Sequence, residues 1–281
     1  MSLKDYFLIS ENWSLAWAIV LIILFVGYVI GLRPGFKKQL FMLGACTLTY
    51  LTLGSPLQGL LNFGLHSVVM LQQVVILMVV PLFIWAGIPS KNCLKIGRKL
   101  PPQYKNALVI TIWFIGTLSM WIAHFMSAAS LSARSGLAIC GIVMAPNTWL
   151  TKIPNTLLLL VLLGIGILFL FPVFTKNINF KLKPLNAVIY LFTACVSCSL
   201  LGLWVAFSAA STVVTEVAPL LTTLRNPLPL SLKTDQELAG MIMWVPGCVL
   251  YVATSAHIAL KWLEGEKQTD LNIITHQKES H

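Results

Sequence analysis

Between Glu11 and Glu216 the sequence contains no aspartate and no glutamate. A soluble domain of comparable length carries acidic side chains over its whole surface, whereas a helical bundle immersed in lipid has little place for them. Across the chain 57% of the residues are hydrophobic and 10% are charged. The sequence therefore predicts an all-α, polytopic integral membrane protein and excludes a soluble globular fold.

Seven apolar runs have the length that a transmembrane helix needs, about 17 residues or more. They occupy residues 15–31, 40–56, 66–87, 107–127, 155–174, 185–208 and 236–263. The first run is expected to be an uncleaved span, because its basic residues follow the apolar stretch instead of preceding it. The runs indicate one transmembrane domain over residues 1–263, and a polar cytoplasmic tail over residues 264–281 that is expected to be disordered.

Basic residues predict the orientation of this bundle. The connecting segments 32–39, 88–106 and 175–184 contain eleven lysines and arginines, and the alternate segments contain five. Because positive residues favour the cytoplasmic side, the N-terminus is expected outside and the C-terminus in the cytoplasm. Orientation in the membrane accounts for the net charge of +10, so no binding to nucleic acid is expected.

Two segments do not fit a simple row of spans. The second run is expected to end at the breaker sequence Gly54-Ser55-Pro56. Segment 128–154 is expected to be re-entrant or interfacial, because its apolar core, residues 136–145, has only about half the length of a span. If this segment crossed the membrane, every later connection would change side.

Polar and sulfur-containing side chains concentrate near the helix ends that this topology places at the outer face. They are His66, Gln72, Gln73, His124, Asn155, Asp235, Gln236, Met241 and Met243. Imidazole and thioether groups are suitable ligands for copper, especially Cu(I). The sequence therefore predicts an outer metal site with His66, His124, Met241 and Met243 as ligands and the other residues as its polar surroundings. Each of these residues also has a structural alternative. The histidines can be interfacial residues at helix ends, and the methionines can be ordinary packing residues.

The six cysteines lie mostly inside apolar runs, so they do not form a secreted disulfide framework. Cys195 and Cys198 are three residues apart and share a helix face, where they either bind Cu(I) as a pair or pack as small apolar side chains. Cys93 and Cys140 lie in connecting segments and are expected to be the accessible thiols, on the inner and outer side respectively.

The stretch from Thr234 to Gly247 runs from a small acidic cluster into the last apolar segment. Asp235 and Glu237 suit the start of a helix, where the helix dipole favours negative charge, or a functional role. Pro246 lacks the N–H that would bond the carbonyl of Ile242, which predicts a kink. The sequence contains no phosphate-binding loop, zinc-protease pair or nucleophile triad, so no enzyme activity is expected.

The segment Asp235 to Gly247, including Trp244 and Pro246, resembles the signature of the multi-spanning CtaG-type cytochrome c oxidase assembly factors. Residues 81–87, 170–173 and 190–202 are similar to further helices of that family, and the resemblance covers residues 40–263. It implies a seven-helix bundle of the bacterial cytoplasmic (inner) membrane that assists assembly of a haem-copper oxidase. It also implies copper delivery to the catalytic subunit, with oxidase subunits and the lipid bilayer as partners.

The sequence departs from the family at its usual histidines. Two pairs, in the third helix and at the start of the fifth, correspond here to Val69, Gln73, Asn155 and Leu159. His124 matches the family histidine near the end of the fourth helix, and His66 lies one turn before Val69. Valine and leucine bind no metal, so the alternative is a non-catalytic structural or accessory subunit of a respiratory complex without a metal. A transporter ranks last, because the inner halves of the helices offer no polar path.

Overall fold

A computed structural model describes residues 13–60, 65–89, 105–135, 139–142, 154–175, 180–208 and 231–279. The helices of these residues are α1 (Leu15–Leu32), α2 (Phe36–Leu53), α3 (His66–Gly87), α4 (Lys105–Ser135), α5 (Asn155–Phe174), α6 (Pro184–Ser208) and α7 (Leu232–Glu279). A single helical turn, Leu57–Leu60, follows α2. The described residues contain no β-strand, and their isolated bridge pairs Ile139 with Ile142. The prediction of an all-α fold is confirmed.

Six of these helices, α1 and α3 to α7, are long and apolar enough to cross a membrane. The chain is therefore a multi-pass membrane protein, as the sequence predicts. The second predicted span forms helix α2, but its first turn contains Lys37, Lys38 and Gln39, and it does not reach the composition of the other six. The orientation with the N-terminus outside remains a prediction.

Local sequence explains where the first two helices begin and end. The hydroxyl of Ser14 accepts a hydrogen bond from the backbone N–H of Trp17, which caps the start of α1. Helix α2 ends at Leu53, directly before the predicted breaker sequence. There the hydroxyl of Ser55 accepts from the N–H of Leu57 at 3.2 Å and donates to the carbonyl of Leu51, so it satisfies backbone groups on both sides of the break.

One prediction about the polar segments is wrong, and another is tested only in part. Helix α4 continues to Ser135, eight residues beyond the predicted end of its span. Of the apolar core of segment 128–154, residues 136–145, the structure describes residues 139–142 alone, so the prediction of a re-entrant or interfacial segment stays a prediction. The expected disordered tail is helical to Glu279, and α7 is continuous through Pro246. Neither extension meets a breaker: residues 128–135 contain no glycine or proline, and residues 264–279 contain only Gly265.

Helix α3 lies in the core and is not a regular α-helix. It is α-helical over His66–Val74 and Val80–Gly87, with a π-helical segment, Val75–Val79, between them. Pro81 has no N–H to bond the carbonyl of Leu77, and a π-helical segment absorbs such a break. A Cβ at Gly166 of α5 would collide with this carbonyl, so the glycine lets α5 pack directly on the irregular part of α3.

Helices α6 and α7 pack closely through glycine. A Cβ at Gly240 of α7 would lie 2.6 Å from the carbonyl oxygen of Gly202 in α6, and a Cβ at Gly202 would lie 2.9 Å from that of Gly240. Small residues permit such backbone contact between membrane helices, where van der Waals packing replaces the hydrophobic effect as the driving force. This contact fixes the start of α7 against α6.

Candidate metal centre

Three potential metal ligands from distant parts of the chain meet inside the bundle. His66 is the first residue of α3, His124 lies in α4, and Cys140 lies in the turn formed by residues 139–142. The two histidines are 0% exposed and the cysteine 5%. Their ligand atoms all lie within 4.8 Å of one another, with 4.0 Å between Cys140 Sγ and His66 Nε2. The imidazole rings meet edge to face, with centroids 5.3 Å apart.

A tight turn carries the thiol of this cluster. Ile139 and Ile142 exchange two backbone hydrogen bonds, of 3.1 and 2.9 Å. Between them, Cys140 and Gly141 have φ of 51° and 76°. Two successive positive φ angles are typical of the tightest hairpin turns, in which glycine is ordinary and a side-chain-bearing residue is uncommon. The backbone therefore adopts an unfavourable conformation at Cys140, and its side chain is buried beside His66.

A carboxylate from the last span fixes the start of α3. Asp235 of α7 is 0% exposed and accepts hydrogen bonds from the N–H of His66 at 2.7 Å and of Ser67 at 3.2 Å. The hydroxyl of Ser67 donates to the same carboxylate at 2.5 Å. The first N–H groups of a helix lack partners within the helix and carry positive partial charge, so an anion there is favourable. Asp235 thereby fixes the backbone of His66.

This contact differs from the capping of α7 that the sequence suggests for Asp235. The start of α7 is served by Ser231, whose hydroxyl accepts from the N–H of Thr234 at 3.1 Å. Glu237 lies at the surface and pairs with Lys233 at 3.9 Å. Within the acidic cluster, therefore, one carboxylate anchors another helix in the interior and the other is solvated.

Buried amides connect α3 to its neighbours close to the cluster. Gln73 donates to the hydroxyl of Ser127 at 2.7 Å and to the carbonyl of Ala123 at 3.3 Å, on either side of His124 in α4. Gln72 accepts from the side-chain amide of Asn155 at 3.1 Å and donates to the carbonyl of Thr52 at 3.3 Å. Gln72, Gln73 and Asn155 thus orient the helices that carry the histidines.

Four positions correspond to usual histidines of the family that the sequence resembles, and their side chains have structural contacts here. Gln73 and Asn155 are engaged in the hydrogen bonds between helices. Val69 and Leu159 are 5% and 0% exposed and belong to the apolar core. These four positions therefore stabilise the bundle, and the imidazoles of the cluster come from His66 and His124.

Several buried polar atoms of this region lack hydrogen-bond partners among the described residues. They are Nδ1 of His66, both ring nitrogens of His124, and both side-chain polar atoms of Gln236, a residue that is 0% exposed. Buried polar atoms are nearly always hydrogen-bonded, and an exception calls for a water or an ion. Burial also raises the pKa of the Cys140 thiol, with a smaller opposing effect from a hydrogen bond to Ser208. A metal ion would complete the bonding of the imidazoles and displace the thiol proton.

The other predicted site residues lie elsewhere. Met241 is 56% exposed and faces outward from the bundle, so it is not part of the cluster. Met243 is 1% exposed and packs in the same apolar core as Cys140. Trp244 is 40% exposed and its Cβ contacts α6 at Gly202, and Pro246 is exposed. The buried position of Met243 indicates a role in helix packing, and the exposed positions of Met241, Trp244 and Pro246 indicate contact with lipid.

Sequence reasoning missed Cys140 as a partner of the histidines. It predicts an accessible thiol there, which is wrong because the side chain is 5% exposed. Cys93, the other thiol expected to be accessible, lies outside the described residues. The dipeptide Cys140-Gly141 indicates a turn, but no periodic pattern shows that this turn folds inward.

A family model described as cytochrome c oxidase caa3 assembly factor matches residues 23–265. The matched region includes His66, His124, Cys140 and Asp235. No curated protein and no solved structure matches the chain significantly.

Proposed function

The chain belongs to the cytochrome c oxidase caa3 assembly factor family, and from that premise we propose that it holds Cu(I) during oxidase assembly. The copper is the cargo, and its destination is the catalytic subunit of a haem-copper oxidase. The protein acts in the bacterial cytoplasmic membrane, with oxidase subunits as its partners. The main observation that supports this proposal is the cluster of His66, His124 and Cys140, whose ligand atoms lie within 4.8 Å of one another.

The size of the cluster supports this proposal. Three atoms that share one metal in trigonal geometry, with bonds of about 2.0–2.3 Å, lie about 3.5–4.0 Å apart. Cys140 Sγ and His66 Nε2 are already 4.0 Å apart, and no pair is more than 4.8 Å apart, so a contraction of about 1 Å brings the three atoms to one ion. The carboxylate of Asp235 and the amide of Gln73 hold the two histidine-bearing helices in this position.

The chemistry of the ligands favours Cu(I). Imidazole and thiolate are ligands that suit copper. One thiolate, two neutral imidazoles and one Cu(I) are neutral together, and uncompensated charge in an apolar interior is costly. The nearby carboxylate of Asp235 is compensated separately, by the N–H groups of His66 and Ser67 at the positive end of α3.

The test is copper binding by the purified full-length protein in detergent, loaded with Cu(I) under anaerobic conditions. The variant His66→Ala with His124→Ala is expected to bind one copper equivalent fewer than the wild type and to lose the copper–nitrogen signal in X-ray absorption. Met241→Leu is the matched control and should bind as the wild type does. An unchanged copper content in the double histidine variant would contradict the proposal.

A cellular experiment separates copper delivery from an accessory role. His124→Ala is expected to lower oxidase activity while the amount of this protein in the membrane stays constant, and added copper should restore part of the activity. A constant ratio of this protein to mature oxidase through purification, with activity unaffected by His124→Ala, would instead support a structural subunit.

A further inference from the structure

A second group of sulfur atoms lies between α6 and α7, away from the outer cluster. Cys195 Sγ and Cys248 Sγ are 3.2 Å apart, and Ser199 Oγ lies 3.0 Å from Cys248 Sγ. These two cysteines are free thiols, as is Cys198, one helical turn along α6 from Cys195. The sequence identifies Cys195 and Cys198 as a pair on one helix face, and the structure adds the third thiol from α7.

A thioether lies beside these thiols. A Cβ at Gly247 would lie 2.8 Å from Cys198 Sγ and 3.3 Å from the sulfur of Met78. Both sulfur atoms therefore border the residue that precedes Cys248. Met78 belongs to the π-helical segment of α3 and is 3% exposed. The absence of a side chain at Gly247 leaves the space into which the two sulfur atoms project.

The composition of this group determines which ions it can hold. Thiol and thioether sulfur are soft ligands that select Cu(I) over Mg²⁺ or Ca²⁺. The group is distinct from the outer cluster, because Cys248 is thirteen residues beyond Asp235, or about 20 Å along a helix axis at 1.5 Å per residue. Cys198 also donates to the carbonyl of Met243 at 3.2 Å, so its thiol is held in place between the two helices.

We propose that Cys195 and Cys248, with Cys198 and Met78 beside them, form a second site for Cu(I) within the bundle. On binding, the S–H bond of one thiol breaks, its proton leaves to solvent, and a copper–sulfur bond forms. A second sulfur atom donates a lone pair without losing a proton. The oxidation state of copper does not change. One thiolate and one Cu(I) are neutral together, which suits an apolar interior.

The test uses the full-length protein in detergent, with Cu(I) alone as the probe and a competing chelator, under anaerobic conditions. Cys195→Ser with Cys248→Ser is expected to reduce bound copper by one equivalent and to weaken the copper–sulfur signal in X-ray absorption. Cys46→Ser, on α2, is the matched control and should leave both unchanged. Equal copper content in the wild type and the double serine variant would overturn the proposal.

A milder substitution tests the site without removing a ligand. Gly247→Ala is expected to weaken this site at least tenfold, because the new methyl group occupies the space between Cys198 and Met78. Gly164→Ala is its control, since a Cβ there meets nothing within 4 Å. Unaltered affinity in Gly247→Ala would count against the site. Titration that finds Cys195 and Cys248 already oxidised to a disulfide after anaerobic purification would also overturn it.

The two sites are separable in the same assay. The double histidine variant of the outer cluster should keep the sulfur-site copper, and the double serine variant should keep the outer copper. If the double histidine variant loses one copper equivalent and the double serine variant loses none, the proposal for the sulfur site fails and the proposed function stands. The opposite result means that the proposed function fails and the sulfur site stands.

Discussion

The outer cluster is fully buried and the sulfur group is buried except for the half-buried Cys248, and the two are held together by different forces. His66, His124 and Cys140 come from three separate segments, and polar contacts position them, above all the carboxylate of Asp235. Cys195 and Cys248 come from two helices in direct contact, and the packing of Gly202 against Gly240 brings those helices together. The first arrangement depends on a buried charge, whereas the second depends on the absence of side chains.

The largest effect is expected from removing the buried carboxylate. Asp235→Ala leaves the N–H groups of His66 and Ser67 without their acceptor, which should cost about 3 kcal/mol of unfolding free energy. Copper should be lost from the outer cluster and retained by the sulfur group, as measured by metal content and denaturant unfolding. Glu237→Ala is the control for charge and should change stability by less than about 0.5 kcal/mol, because its ion pair is exposed. Equal loss of copper from both groups would remove the distinction between them.

A smaller effect is expected from filling the contact between α6 and α7. In Gly240→Ala the added methyl group would lie 2.6 Å from the carbonyl oxygen of Gly202, so the helices must separate. Overpacking of this kind costs about 1–3 kcal/mol. Copper affinity at the sulfur group should fall more than affinity at the outer cluster. Gly164→Ala, with open space around it, should be neutral or slightly stabilising. A Gly240→Ala protein with unchanged affinity at Cys195 and Cys248 would show that close packing does not position them.

The smallest effect concerns pH at the outer cluster. Burial raises the pKa of the Cys140 thiol, so this thiol is protonated at neutral pH in the metal-free protein. Because copper displaces that proton, affinity should rise about tenfold per pH unit between pH 7 and 8. Chelator competition in the Cys195→Ser, Cys248→Ser background isolates this site. Cys140→Ser should abolish the pH dependence along with most of the affinity, and an unchanged slope in that variant would exclude Cys140 as the ligand that loses a proton.

Sequence reasoning reached the membrane fold because apolar periodicity and length are local properties of the chain. It also identified His66, His124 and Asp235 as neighbours at one face, since helix ends alternate between the two sides of a bundle. It could not determine the partner of Asp235, because the hydrogen bond to His66 joins residues far apart in sequence. The inward turn at Cys140 could not be predicted either. A turn of four residues, with positive φ at its two central residues, is too short to show a periodic pattern in the sequence.

The origin of the anchoring carboxylate in the last span has a consequence for biogenesis. Once the ribosome has produced α3, α4 and the turn at Cys140, all three ligand residues of the outer cluster exist, but Asp235 has still to be synthesised. The first turn of α3 is fixed only after α7 has entered the membrane. Completion of the cluster thus depends on insertion of the last span, so on our proposal truncated protein that lacks α7 should not hold copper at this cluster.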